Sequence, residues 1–231
     1  MKEISHIFQN RISSGGRPEK AAWLEKYIKH DIISKGTGIP EIRNILQESE
    51  DQFNLTGMPF TMQVELVSDL MRQKYTEDKL AAILYLQLFW SEKYTSEKID
   101  LISGWFNESL ITDWNVCDWL CVRILTPMLD QSPPVILPAL VNWNCHQNPW
   151  KARASLVPFA PCKTIGNHRE SITFLSQTLI KREERFCKTA VGWVLREYSK
   201  IDKDFVMQFL KDHEDWTTKE VIRNATKYMI K

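Results

Sequence analysis

Residues Asp113–Arg123 read DWNVCDWLCVR, and Asp118 stands where three other parts of the chain carry alanine. Steps of 36 residues from Asp118 land on Ala82 on one side and on Ala154 and Ala190 on the other. The strings around these positions are KLAAILYL, VCDWLCVR, ARASLVPF and KTAVGWVL. Each places a small or short residue ahead of an apolar run. A period of roughly 30–47 residues is the mark of stacked helical pairs, in which small residues sit where helices approach closely. A carboxylate at such a position is expensive to bury alone, so it must face a groove or hold a partner. Asp118 is therefore the first functional candidate.

Working outward, helical periodicity continues in both directions. Apolar spacing predicts helices near 59–72, 77–92, 96–109, 115–129, 134–144, 149–159, 168–181, 183–199, 203–213 and 218–230. Breakers fall between them at Pro133-Pro134, Pro149, Pro161 and Gly166-Asn167, and Thr217 suits an N-cap. At the front, Lys2–Arg11 and Arg17–His30 read as amphipathic helices, with Trp23, Tyr27 and Ile28 at helical spacing. Pro40 begins a further helix through about Gln47, and the polar stretch Glu48–Gly57 then separates front from repeats. Period-two alternation is scarce. The expectation is an all-α, HEAT-like repeat solenoid of antiparallel helix pairs with a concave groove. It forms one domain over 1–231, with front helices at 1–47 and the array from about 58. Gly192 interrupts a strong helical pattern at a cost of about 1 kcal/mol relative to alanine. Close packing is the expected reason.

Composition narrows the class. The chain has 231 residues, 43% of them hydrophobic and 26% charged, enough for a continuous core. The net charge of +1 gives no global sign of a nucleic-acid partner, although a local basic stripe fits within a neutral total. Five cysteines without a CxxC pair read as reduced, buried thiols. Cys145-His146 has no matching second pair for a metal. No apolar run approaches the ~20 residues of a membrane span. A cytoplasmic protein is expected.

Trp114 and Asp118 lie four apart and share a helix face. Trp150 stands 36 residues beyond Trp114, with Arg153 beside the stepped alanine, and Trp193 and Arg196 are three apart. In a stack kept in register, Asp118, Arg153 and Trp193 converge. The same pattern also fits ordinary core tryptophans and an Asp118–Arg153 ion pair between repeats. Lys151, Arg153, Lys181, Arg182, Arg185, Lys188 and Arg196 supply cations. With Glu183 and Glu184 among them, they read equally as a solvated helix face or as phosphate ligands.

Several segments resemble one family. The string KTAVGWVLREY, Lys188–Tyr198, is similar to the signature of the AlkD-like DNA alkylation repair glycosylases. Trp150-x-x-Arg153-Ala154, Trp114-x-x-x-Asp118, Tyr27-x-Lys29 and Gly36-x-x-x-Pro40-x-x-Arg43 resemble further segments of it, in the family's order. The resemblance implies a monomer that wraps duplex DNA containing alkylated bases. It implies hydrolysis of the N-glycosidic bond of cationic N3- and N7-alkylpurines, as in base excision repair, without cofactor or metal. Asp118 would be the catalytic carboxylate, with Trp114 and Trp193 as aromatic walls against the deoxyribose. Arg153, Lys151, Lys188 and Arg196 would hold DNA. The alternative is a non-catalytic HEAT-like scaffold that binds DNA or protein.

Overall fold

The computed structural model describes residues 1–29, 32–92 and 95–229. In chain order its helices are α1 Lys2–Ser14, α2 Pro18–Ile28, α3 Ile39–Phe53, α4 Phe60–Met71, α5 Thr76–Phe89, α6 Ser96–Asn107 and α7 Trp114–Leu120. They continue as α8 Thr126–Gln131, α9 Pro133–Asn144, α10 Pro149–Ala154, α11 Arg169–Leu179, α12 Arg185–Tyr198, α13 Lys203–Asp212 and α14 Lys219–Ala225. The chain is all-α, and among the described residues the only β-type pairing is an isolated bridge between Ile33 and Tyr75. The residues form two compact units, Met1–Lys93 with Asn107–Ile124, and Tyr94–Phe106 with Leu125–Lys231. Among the described residues, no helix is long and apolar enough to cross a membrane.

The stepped residues all fall on helices. Ala82, Asp118, Ala154 and Ala190 stand four to six residues beyond the first helical residue of α5, α7, α10 and α12. The three alanines are buried, while Asp118 is partly exposed.

The first unit centres on α5, whose residues Leu80–Leu86 are all buried. The loop before α3 is clamped onto it. Glu77, 1% exposed, accepts from the Ser34 hydroxyl at 2.6 Å and from the Lys35 and Gly36 amides at 2.8 Å. Beside it the Lys35 amine meets Asp78 at 2.6 Å. Burial raises the Asp78 carboxyl against the pull of Lys35. Gly36 adopts φ +76°, and a Cβ there would lie 2.1 Å from the Arg17 carbonyl, so only glycine fits.

Two expectations need correction. The helix expected to end near Gln47 runs on through the polar stretch to Phe53. That stretch stays helical by burying Ser49, whose hydroxyl accepts from Arg11 at 2.9 Å, and leaving its charges outside. The single helix expected over 115–129 is also broken: after α7 comes a π-helical turn, Cys121–Leu125, before α8. Pro127 supplies the cause. It lacks an amide hydrogen, and in an α-helix its ring would strike the carbonyl four residues back, so the preceding turn widens.

In the second unit α12 is the central helix, with Cys187, Ala190, Val191, Gly192, Val194 and Leu195 buried. Gly192 faces α14. A Cβ there would sit 3.3 Å from both the Cα and the carbonyl oxygen of Val221, which confirms close packing. Gly192→Ala should leave stability within about 1 kcal/mol, since the helix-propensity gain and the crowding oppose each other. Gly192→Leu should cost about 1–3 kcal/mol by overpacking. Urea unfolding checks both, and a tolerated leucine would mean that α14 does not seat there.

Candidate functional site

In the first unit, α7 is placed by what holds its first turn. Asp113 is the N-cap, and its carboxylate accepts from the Val116 amide at 2.9 Å, satisfying a donor the helix leaves open. Just before it, the Lys79 amine donates to the Leu110 carbonyl at 2.7 Å and to the Met71 carbonyl at 2.9 Å. Burial lowers the pKa of Lys79, and the charges of Asp113 and Asp78 work against that.

Trp114 opens α7 and is fixed in turn. Its indole N–H donates to the Ile28 carbonyl at the end of α2, at 3.0 Å. The Tyr27 ring meets it edge-on at 5.6 Å and 71°. Trp23 stacks on Tyr27 at 5.1 Å, with the planes 5° apart. Asp118 follows Trp114 by one turn on the same face and is partly exposed. Four residues after Trp119, the Arg123 guanidinium covers its ring at 4.9 Å. This unit therefore brings together a carboxylate and an aromatic row, on helices rather than loops.

The second unit holds the other expected residues. Asn148 caps α10 by accepting from the Trp150 and Lys151 amides at 2.9 and 3.4 Å. Its amide donates to the Phe106 carbonyl at 2.8 Å. Arg153, 5% exposed, donates to the Phe186 carbonyl at 2.6 Å and to the Thr189 hydroxyl at 3.3 Å. Trp150 packs on Phe186 at 5.1 Å. Lys151 is buried, with its amine donating to the Ser103 hydroxyl at 2.8 Å and lying 5.7 Å from the Trp143 ring centre. Burial lowers its pKa.

Trp193 lies half-buried on α12. The cations on α12 and just before it are engaged within the protein. Lys188 donates to the Trp216 carbonyl at 2.6 Å. Arg196 pairs with Glu197 at 2.7 Å and donates to Asn224 at 3.2 Å. Arg185 forks onto Glu220 at 2.8 and 2.5 Å, and Arg182 meets Glu184 at 2.5 Å. Lys181 sits over the Trp216 ring at 4.8 Å. The basic cluster is thus largely an ion-pair lattice around α12.

Two buried thiols are held protonated by their position. Cys162 is buried and donates to Asp130 at 3.1 Å, with burial raising its pKa to about 11. Cys187 is raised to about 11 by the same cause. Cys145 is exposed, against the expectation that all five are buried. Among the described residues, no cluster of three or more His, Cys, Asp or Glu side chains could hold a metal ion.

Sequence reasoning missed the supports of α7, Asp113 and Lys79, and it placed Trp23, Tyr27 and Ile28 at helical spacing without assigning the two rings to the surface. Only Ile28 of that trio is buried; Trp23 and Tyr27 are 60% and 57% exposed. The available signal was their four-residue spacing beside Lys20 and Lys26.

A family model described as DNA alkylation repair enzyme matches residues 8–229. The chain belongs to this family. Two solved structures share its all-α, helical-repeat fold. One is a predicted DNA alkylation repair enzyme from Enterococcus faecalis, 21% identical, with a TM-score of 0.79 over 94% of this chain and 97% of that one. The other is AlkD2 from Streptococcus mutans, 17% identical, with a TM-score of 0.60 over 91% of this chain and 97% of that one. At such identities the likeness concerns the fold of this DNA alkylation repair family member. No curated protein matches its sequence.

Proposed function

We propose that this family member is a DNA glycosylase that hydrolyses the N-glycosidic bond of cationic N3- and N7-alkylpurines in duplex DNA. The observation that carries the reading is the Trp114–Asp118 face of α7, a partly exposed carboxylate one turn from an anchored indole. Glycosidic cleavage usually takes two carboxylates, one of them an acid for the leaving group. An N7- or N3-alkylated purine already carries positive charge and leaves without a proton. As its bond to C1′ breaks, the electron pair neutralises the base and positive charge grows on the sugar. The Asp118 carboxylate stabilises that charge and takes a proton from the water that attacks C1′. The face of Trp114 adds cation–π attraction of about 0.5–2 kcal/mol, and the family resemblance gives Trp193 the same role.

In this reading residues 1–231 act as one DNA-binding array, as a monomer. Arg153, held by the Phe186 carbonyl and the Thr189 hydroxyl, is assigned to the DNA backbone by the family resemblance. Lys188 and Arg196 of α12 take the phosphates, whereas Lys151 serves as an internal tie to α6. The deciding experiment is release of 7-methylguanine from methylated duplex DNA by the purified chain. The lattice of internal ion pairs around α12 favours a second reading, a scaffold that binds DNA or protein without chemistry. Binding without release would select it.

Binding itself gives a further prediction. Affinity for duplex DNA should fall as salt rises, with a log–log slope of about −0.9 for each phosphate contacted. Lys188→Glu should weaken binding and reduce the slope. Salt-independent binding would exclude a backbone-tracking mode.

A further inference from the structure

The row of rings in the first unit extends beyond the residues that the proposed chemistry uses. Trp23 is 60% exposed, yet it is held flat by its stack on Tyr27. Tyr27 is braced by its steep packing against Trp114, and Trp114 is tied to the Ile28 carbonyl. The α2 helix that carries them buries only Ile28. Trp23 is therefore not a core residue caught at the edge. Its outer face is a rigid, open platform whose ordering has already been met by its neighbours. Lys20 and Lys26 lie one turn to either side of Trp23 and are exposed.

A flat indole face with a cation one turn away on each side fits a nucleobase and its two phosphates. Aromatic side chains bind bases this way with little regard to sequence, because every base has a π face. An apolar protein surface would instead be opposed by the desolvation of both lysines.

We propose that Trp23 stacks on a nucleobase that has left the duplex stack, with Lys20 and Lys26 meeting the flanking phosphates. This subsite rests on the reading of the chain as a DNA repair enzyme. It extends that reading from a lesion in paired DNA to DNA with a displaced base. Trp23 touches the displaced base and takes no part in the bond cleavage.

The test compares two duplexes of one sequence, one fully paired and one with a single unpaired nucleotide, titrated with the full chain at fixed salt. The wild type should prefer the unpaired duplex by about ten-fold or more, as one stacked base contributes. Trp23→Ala should remove that preference and leave affinity for the paired duplex unchanged. Trp23→Phe should keep most of it. Circular dichroism of each variant checks the helical fold. Equal preference in wild type and Trp23→Ala overturns the platform while leaving the glycosylase reading intact. So does an equal loss on both duplexes. A wild type that binds neither duplex overturns both. Loss of self-association or of a protein contact in Trp23→Ala, without any change on DNA, would assign the face to a protein partner.

Discussion

Asp118→Asn is expected to slow release of N7- and N3-alkylpurines by about 10²–10³-fold, with the fold and DNA affinity nearly unchanged. The amide keeps the shape of the side chain and removes the charge opposite the growing oxocarbenium ion. Trp114→Ala and Trp193→Ala should each cost less, since they supply cation–π attraction rather than the counter-charge. Single-turnover release of 7-methylguanine measures all three. Uracil in the same duplex should stay in place, because its leaving group needs an acid and none is assigned. Release of uracil at a comparable rate would refute the one-carboxylate mechanism within a correct enzyme class. If Asp118→Asn unfolds the chain and the wild type releases nothing, Asp118 serves the fold.

The second large effect falls on stability. Glu77→Ala should destabilise the protein by about 3–5 kcal/mol, as removal of one partner from a buried charged network does. The substitution removes the acceptor of the Ser34 hydroxyl and of the Lys35 amide, and leaves the Gly36 amide only its 3.0 Å bond to the Ser34 hydroxyl oxygen. Each buried donor left unpaired costs about 1–3 kcal/mol. Glu77→Gln keeps an acceptor oxygen and should lose less. Urea unfolding with a shared slope gives both values, and a loss below 1 kcal/mol for the alanine variant would show that the loop is held elsewhere.

What the sequence made legible was periodic or covalent. The 36-residue step found four helices, because small residues recur wherever neighbouring helices must come close. Gly192 signalled a close approach, because glycine inside so strong a helix is costly, and the structure supplies α14 as the neighbour. The paired Trp114 and Asp118 were readable from a four-residue spacing. Contacts between distant residues were not readable. Glu77 looks like any acid in a first helical turn, and its partners lie more than forty residues earlier. Lys151 looks like a surface cation until Ser103 and Trp143 enclose it. The polar run in α3 carried no apolar stripe to mark it as helix. Pro127 was passed over because its effect falls on the turn before it.

The first unit is built from two separated pieces of chain, Met1–Lys93 and Asn107–Ile124. No single cut can release it whole, so limited proteolysis or truncation at one point will not yield a clean half. On the ribosome the same interruption imposes an order. The carbonyl of Ile28 is made 86 residues before the indole that binds it. At ~5–20 residues per second, α2 waits several seconds or more for α7 to emerge. During that interval the rings of Trp23 and Tyr27 lack their brace, and a nascent chain stalled before Trp114 presents them to any chaperone that reads exposed aromatic surface.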